Sequence, residues 1–283
     1  MIGIGTSLQT PSNVSDSVKM DTRYLFIDGG YFRKVLEKMG QDFFAGDNLA
    51  VDYQRLTSSF DKVFYYDCYP PKLAKELEVD YKARIRPQEA QFHSLRAHDG
   101  WHVVEGVMVG EGSRARQKQV DVRIAVDMLT HSYRRNMQRI AFIAGDQDFK
   151  PLVDAVVREG MYIELWYEAS SASQALVEAA DARRPLGPYQ IHNFLISQLQ
   201  LKHPLPSRTG TPDSKPKDAS LLEEGTGKFG KARLYKHMNQ YSIVIDDPLN
   251  LGRYRHTSHA DLEYLKKVFD EVEGTTEWSS SFG

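Results

Sequence analysis

Two aspartates stand one residue apart where an apolar run ends in "FIAGDQDFKPLV", residues 142–153: Asp146 and Asp148. A third, Asp28, closes the apolar run of "RYLFIDGG". A fourth, Asp121, lies in "KQVDVRIAVDMLTHSYRRN", residues 118–136. There the 100° steps of a helix align Val120, Ile124, Ala125, Met128 and Leu129 as one apolar stripe, with Asp121 close to its middle. An unpaired charge buried on such a stripe costs several kcal/mol or takes up a proton. Because it falls in the first turn, Asp121 could instead look into a cavity. Asp127 is about 120° further round, on the stripe's flank, and is a fifth, weaker candidate.

Each aspartate also has a plain structural reading. Asp148 could cap the helix that follows it. Asp28 could be a polar strand end before a glycine turn, Asp121 a helix-start residue favoured by the dipole, and Asp127 a solvated one. Their convergence would be a repulsive arrangement, since carboxylates a few ångströms apart raise each other's pKa. A hard divalent cation relieves it. Mg²⁺ takes oxygen ligands, keeps several waters and needs only one or two direct carboxylates, and Mn²⁺ accepts the same set. The chemistry this points to is metal-assisted attack on a phosphate ester, with Asp28 and Asp146 as primary ligands and Asp121 and Asp148 acting through water or on a second ion.

The elements that must position these residues alternate. "RYLFID", "DKVFYYDCY" (61–69), "WHVVEGVMVG" (101–110), "RIAFIAGD" (139–146) and "MYIELWYE" (161–168) read as strands, the third as one strand or two short ones. Helices are expected after the first strand, over 87–100 with Pro87 near the start, over 118–136, 149–160 and 171–183. The strands are continuous apolar runs, the mark of a mostly parallel sheet covered on both faces, so the fold is a three-layer α/β domain over residues 22–200. In such sheets ligands bind beyond the carboxyl ends of the strands, where Asp28 and Asp146 fall.

Residues 1–21 are rich in Gly, Ser, Thr and Asn and read as a flexible N-terminus. After Lys202, "HPLPSRTGTPDSKPKDAS" reads as part of a linker over 201–230. Residues 231–283 form a small C-terminal α+β or helical appendage. Its helix, 258–274, has Leu262, Leu265, Phe269 and Val272 on one face, Ser258 as N-cap and Gly274 as stop. This segment is the candidate surface for a protein partner, and a homo-oligomer is one further possibility.

Bulk properties exclude more than they name. The chain has 283 residues, 41% of them hydrophobic, enough for a core. A formal charge of −2 selects no partner. One cysteine, Cys68, rules out an internal disulfide framework or a multi-cysteine zinc site. His98 and His102 are separated by Gly100, which breaks the helix a zinc pair would need. No signal-like or membrane-length apolar run is present, so a cytoplasmic protein off the membrane is expected. No G-x-G-x-x-G follows a strand, against a dinucleotide enzyme, and "FIDGG" lacks the Asp-x-Asp that an aspartyl-phosphate phosphatase would use.

"FIDGGYF", "KQVDVRIAVDML" and "FIAGDQDFKPLVDAVVREGMYIELW", in that order, resemble the NYN domain, the LabA-like branch of the PIN-like metal-dependent ribonucleases. The matching positions are Asp28-Gly29, then Lys118, Val120, Asp121 and Asp127, then Gly145, Asp146, Asp148, Phe149, Pro151, Leu152 and Gly160, over roughly residues 23–185. The resemblance implies a PIN-like Rossmannoid fold. It implies hydrolysis of RNA in processing or decay, with Asp28, Asp121, Asp146 and Asp148 holding Mg²⁺ or Mn²⁺. The family's Asn three residues after the first Asp is here Tyr31, Ala144 replaces a Ser, and Gln147 a frequent Ser. A non-catalytic RNA-binding or scaffold protein on the same fold is the alternative.

A substrate side is legible too. Arg114, Arg116, Lys118, Arg123, Arg134, Arg135 and Arg139 face only Asp121 and Asp127 in charge, an excess suited to phosphate neutralisation or to a solvated helix face. Arg114, Arg116 and Lys118 precede the helix and are nearest the expected edge; with "GEGS" they suggest a loop over substrate. Tyr31 could stack on a base of single-stranded RNA, whereas Phe149 reads as core.

Overall fold

The structure is a computed structural model that describes residues 21–109, 116–118 and 120–279, the side chains of 107–109 and 116–118 excepted. Up to Lys202 the described elements are β1 (Arg23–Asp28), α1 (Gly29–Phe43), α2 (Tyr53–Thr57), β2 (Lys62–Cys68), α3 (Glu78–Arg96), β3 (Trp101–Val109), β4 (Arg116–Lys118), α4 (Val120–Tyr133), β5 (Arg139–Ile143), a 3-10 turn (Gln147–Phe149), α5 (Lys150–Arg158), β6 (Tyr162–Tyr167), α6 (Gln174–Ala179), β7 (Ala182–Pro185), α7 (Pro188–Phe194) and α8 (Ser197–Lys202).

Strand order is β4-β3-β2-β1-β5-β6-β7. The six strands from β3 to β7 run parallel, and only β4 is antiparallel, against β3. Alternate strand residues feed two cores. Tyr24 and Phe26 of β1 join Val120, Ile124 and Met128 of α4 and Leu152, Val153 and Val156 of α5 on one face. Leu25 and Ile27 join Phe32, Val35 and Met39 of α1 and Phe92 and Leu95 of α3 on the other. The expected three-layer α/β architecture with a mostly parallel sheet is therefore the observed one. The chain winds outward from β1 through β2 to β3, then returns to β5 and winds the other way. The switch point lies between β1 and β5, where a crevice opens above the carboxyl ends of the strands.

Beyond Lys202 come β8 (Ser207–Thr211), β9 (Ser220–Gly227), β10 (Gly230–His237), β11 (Gln240–Asp246), β12 (Tyr254–His259), α9 (Leu262–Glu273) and β13 (Glu277–Ser279). The strands form an antiparallel sheet in the order β13-β9-β10-β11-β12-β8. This corrects the linker reading: β8 and β9 lie inside 201–230, where Pro and Ser hide short strands whose backbone groups pair with β12 and β10. α9 lies between the two units. Leu265 and Phe269 pack on Leu234, Ile243 and Ile245 of the antiparallel sheet. Val268 joins the core beneath α1, and the Tyr264 hydroxyl donates to the Phe43 carbonyl at 3.1 Å.

Other expectations are also corrected. Asp261, not Ser258, caps α9 by accepting from the Tyr264 N–H, and Ser258 is the fifth residue of β12. α3 begins at Glu78, so Pro87 is inside the helix rather than near its start. The helix expected over 171–183 is the short α6 followed by edge strand β7, in which residues alternate between part-buried and exposed. The expected helix 149–160 is a 3-10 turn leading into α5.

Candidate active site at the sheet's switch point

Asp28 ends β1, and Asp146 follows β5, the strand paired with β1 in parallel. Each carboxylate begins the next element. Asp28 caps α1 by accepting from the Tyr31 N–H at 3.0 Å. Asp146 caps the 3-10 turn by accepting from the Asp148 N–H at 3.0 Å. The first carboxylate of each pair is thereby oriented by backbone. Asp148 does not take the capping role considered for it, because α5 starts at Lys150 with Phe149 at the N-cap position and no side-chain cap.

Asp121 is exposed, in the first turn of α4, one position beyond the buried Val120. The wheel reading that centred it on the buried stripe is corrected: the residue is exposed, although surrounding groups still desolvate its carboxyl in part. Asp121 and Asp148 meet no hydrogen-bond donor among the described residues, and Asp146 and Asp148 are exposed.

Two of these carboxyls, Asp28 and Asp121, are raised above the ordinary carboxylate range. Burial pushes the Asp28 carboxyl up to about 6; the Tyr31 N–H opposes this, the Asp121 and Asp67 charges add to it, and the Gly30 N–H opposes it. Asp121 is also raised, by partial burial and then by Asp146 and Asp148. Asp121 thus stands electrostatically between the β1 end and the β5 end. Among the described residues, however, no three acidic, histidine or cysteine side chains are gathered closely enough to enclose a metal ion. The arrangement is an open, oxygen-only set with two unpartnered carboxylates. That chemistry fits a hard cation that retains most of its water rather than a fully dehydrated one.

On the β6 side an open cleft of about 570 Å³ adjoins this edge, lined by Tyr31, Lys34, Lys38, Gly145, Asp146 and Glu168 among others. The Tyr31 hydroxyl accepts from the Glu168 N–H at 2.8 Å, tying the start of α1 to the end of β6. Tyr31 therefore lines the cleft as a strut. Glu168 is buried, which pulls its pKa up, but hydrogen bonds from Ser171 and Ser170 and the charge of Lys38 outweigh this and hold it low. Lys38 lies 2.8 Å from Asp42 and 3.7 Å from Glu168. Lys34 is exposed and forms no ion pair among the described residues. The sequence reading passed over both lysines, although they follow Asp28 by six and ten positions on α1.

It also passed over Asp67. This residue is fully buried near the end of β2, beside the end of β1. Its carboxylate accepts from Arg33 Nη1 at 2.6 Å, Gln88 Nε2 at 3.1 Å and the Cys68 N–H at 2.8 Å. Arg33 balances it, so Asp67 is a structural acid beside the unbalanced set. Asp127 is apart from that set: it accepts from the Tyr66 hydroxyl at 3.0 Å on the face of β2. Arg116 and Lys118 lie in β4, their side chains outside the described residues, as is Arg114 altogether. Arg135 is used elsewhere, on the Glu159 carbonyl, and Arg139 pairs with Asp21 at 2.9 Å. Phe149 is core, edge-on to Phe142. His102 stacks on Phe64, whereas His98 faces Trp101.

Comparison with known proteins adds a family. The model of the NYN domain matches residues 20–186. No curated protein matches the chain. Among solved structures, a protein of unknown function from Vibrio parahaemolyticus is similar at 15% identity and a TM-score of 0.43, over 62% of this chain and 96% of that one. A candidate oxidoreductase from Parabacteroides merdae is similar at 8% identity and a TM-score of 0.24, over 56% of this chain and 27% of that one. Neither likeness bears on the chemistry.

Proposed function

The chain belongs to the NYN domain family, and from that premise we propose that it is a Mg²⁺- or Mn²⁺-dependent ribonuclease of the LabA-like branch, acting on single-stranded RNA in processing or decay. NYN domains belong to the PIN-like nuclease superfamily, which gives the reaction class. The α/β unit over 22–200 is the nuclease domain in this reading. The observation that carries it is the acidic edge at the switch point: Asp28 ends β1, Asp146 follows the paired strand β5, and each is held by a backbone N–H; burial first, and then neighbouring carboxylates, raise Asp28 and Asp121. Negative charge concentrated without a balancing cation at a ligand crevice is what a divalent ion would relieve.

Asp28 and Asp146, each fixed by a backbone N–H, would be the primary ligands, and Asp121 and Asp148 would hold the ion through water. Bound there, it would supply Lewis acidity to activate water and offset the charge of the scissile phosphate. Lys34 and Lys38 suit the flanking phosphates, with Arg114, Arg116 and Lys118 as further contacts from the β3–β4 side. Tyr31 keeps the crevice open by bracing α1 against β6. None of the described helices is long and apolar enough to cross a membrane; a cytoplasmic site of action is part of the proposal.

A second reading has its own support. The carboxylates are not gathered into a closed metal group, and Tyr31 occupies the family's Asn position. A non-catalytic RNA-binding protein would share both features. Incubating single-stranded and structured RNA and DNA with Mg²⁺, Mn²⁺ or EDTA separates the two: metal-dependent cleavage supports the nuclease, and RNA retardation on a gel without cleavage supports the binder.

A further inference from the structure

On the β2 side of α1, away from the Tyr31 cleft, lies a second cavity of about 580 Å³. It falls within the range of small-molecule sites, ~300–1,000 Å³. Its wall includes Leu36, Ala50 and Tyr53, with polar groups from Arg33, Gln88 and Gln91.

The polar groups are organised from behind. The two N–H bonds of the Gln88 amide are committed, to Asp67 at 3.1 Å and to the Cys68 carbonyl at 3.0 Å. Its oxygen accepts nothing among the described residues. Gln91 Nε2 donates to the Tyr53 hydroxyl at 2.9 Å, which leaves its own oxygen and the phenol proton for another partner. Arg33 gives its stronger bond to Asp67, at 2.6 Å, and its side chain remains 46% exposed. An arginine has five N–H donors, so further ones remain for a ligand. The cavity therefore combines aromatic and aliphatic walls with two acceptors, a phenol donor and a guanidinium, all held by bonds to other groups. A planar ring with apolar faces and a mixed donor and acceptor edge matches it.

Position says what carries that ring. Arg33 and Asp67 join the cavity to the acidic edge: Asp67 is the buried carboxylate whose charge reaches Asp28. Tyr65, which lines the cavity, lies so close to Gly29, the residue after Asp28, that a Cβ there would meet its Cζ at 2.6 Å, so the cavity adjoins the β1 end on the β2 side. We propose that this cavity accepts one unpaired nucleobase of the RNA strand, next to the phosphate being cleaved. It stacks against Tyr53 and Leu36 and is read along its edge by Gln88, Gln91 and Arg33. This rests on the ribonuclease reading and deepens it by naming a base subsite. Stacking on an aromatic strengthens binding by about tenfold per base, so the subsite sets affinity as well as preference.

The test is binding, measured with Ca²⁺ in place of Mg²⁺ or Mn²⁺ so that the acidic edge holds a cation for the phosphate, on octamers checked to be intact after the titration. Fluorescence anisotropy titrates the full chain with single-stranded RNA octamers, each carrying one abasic residue at a different position. The expected result is a loss of affinity of about tenfold at one or two positions. In Leu36→Trp, which fills the cavity, that position dependence disappears. Ala50→Trp fills it from the exposed rim and serves if Leu36→Trp does not fold. An abasic scan that is flat for the wild-type protein, or unchanged in the filled variant, overturns the subsite, as does a failure to bind RNA. Hydrolysis of bis(p-nitrophenyl) phosphate with Mn²⁺, a diester with no base, tests the nuclease reading separately.

Discussion

The Tyr31 ring lies so close to the Cα of Gly145 that a Cβ built on the glycine would meet Cε2 at 2.3 Å. The ring passes between the start of α1 and the end of β5, and its hydroxyl reaches the Glu168 N–H at 2.8 Å. One residue thus braces the three strand ends β1, β5 and β6, next to both Asp28, which takes its N–H, and Asp146, which follows Gly145. Gly145→Ala is expected to cost about 1–3 kcal/mol through overpacking. Combined with Tyr31→Ala, the two losses are expected to fall short of their sum by at least about 0.5 kcal/mol. A denaturant double-mutant cycle checks this, and strict additivity would contradict the strut.

Asp28 makes stability depend on pH in a defined direction. Its folded pKa, about 6, is above the ordinary 3.8. The folded state therefore holds the proton more tightly than the unfolded state does, and stability falls as pH rises from about 4 to about 6. The full displacement corresponds to about 3 kcal/mol. In EDTA, Asp28→Asn should be more stable than wild type at pH 7.5, by about 1–3 kcal/mol, and should lose that advantage at pH 4. Urea melts at the two pH values measure it; equal stability at both would mean the carboxyl is not raised.

Arg33 balances an acid with no exposure to solvent. Arg33→Ala should destabilise the protein by about 3 kcal/mol, because it leaves the Asp67 charge buried and unpaired. Asp67→Asn in the same chain should recover part of the loss. No recovery would mean that Arg33 acts through packing rather than through Asp67.

Val268 of α9 has no exposure and packs in the core that contains Phe32 and Val35 of α1. Val268→Asp is expected to lower the thermal unfolding of the α/β unit, read from the tryptophan fluorescence of Trp101 and Trp166. An unmoved transition would show that the antiparallel unit does not support the α/β unit.

Much of the sheet was legible because its strands are buried on both faces. β1, β2, β5 and β6 are continuous apolar runs, and Asp28 and Asp146 stand out as the charges that stop two of them. Asp67 carries a similar signal, but Cys68 and Tyr69 continue the run past it, so the strand did not seem to end there. β7, "ARRP", has two arginines and a proline, which read as the tail of a helix. β8 and β9 are hidden by composition: β8 pairs with the distant β12, and the glycines Gly227 and Gly230 that turn β9 into β10 fall inside a stretch whose Pro, Ser and charge read as linker. Pro87 read as a helix start because an interior proline removes a backbone bond. For Asp121, helical angle was readable but not the exposure of its turn.

The central claim is that Asp28, Asp121, Asp146 and Asp148 share a divalent ion. Calorimetric titration of Mn²⁺ into wild type and Asp146→Asn, alongside RNA cleavage by the same samples, tests it most directly. The account predicts saturable binding that weakens on the order of a hundredfold in the variant, with cleavage that needs the ion and falls with it. Unchanged Mn²⁺ affinity in Asp146→Asn, or cleavage that survives both EDTA and the substitution, would contradict it.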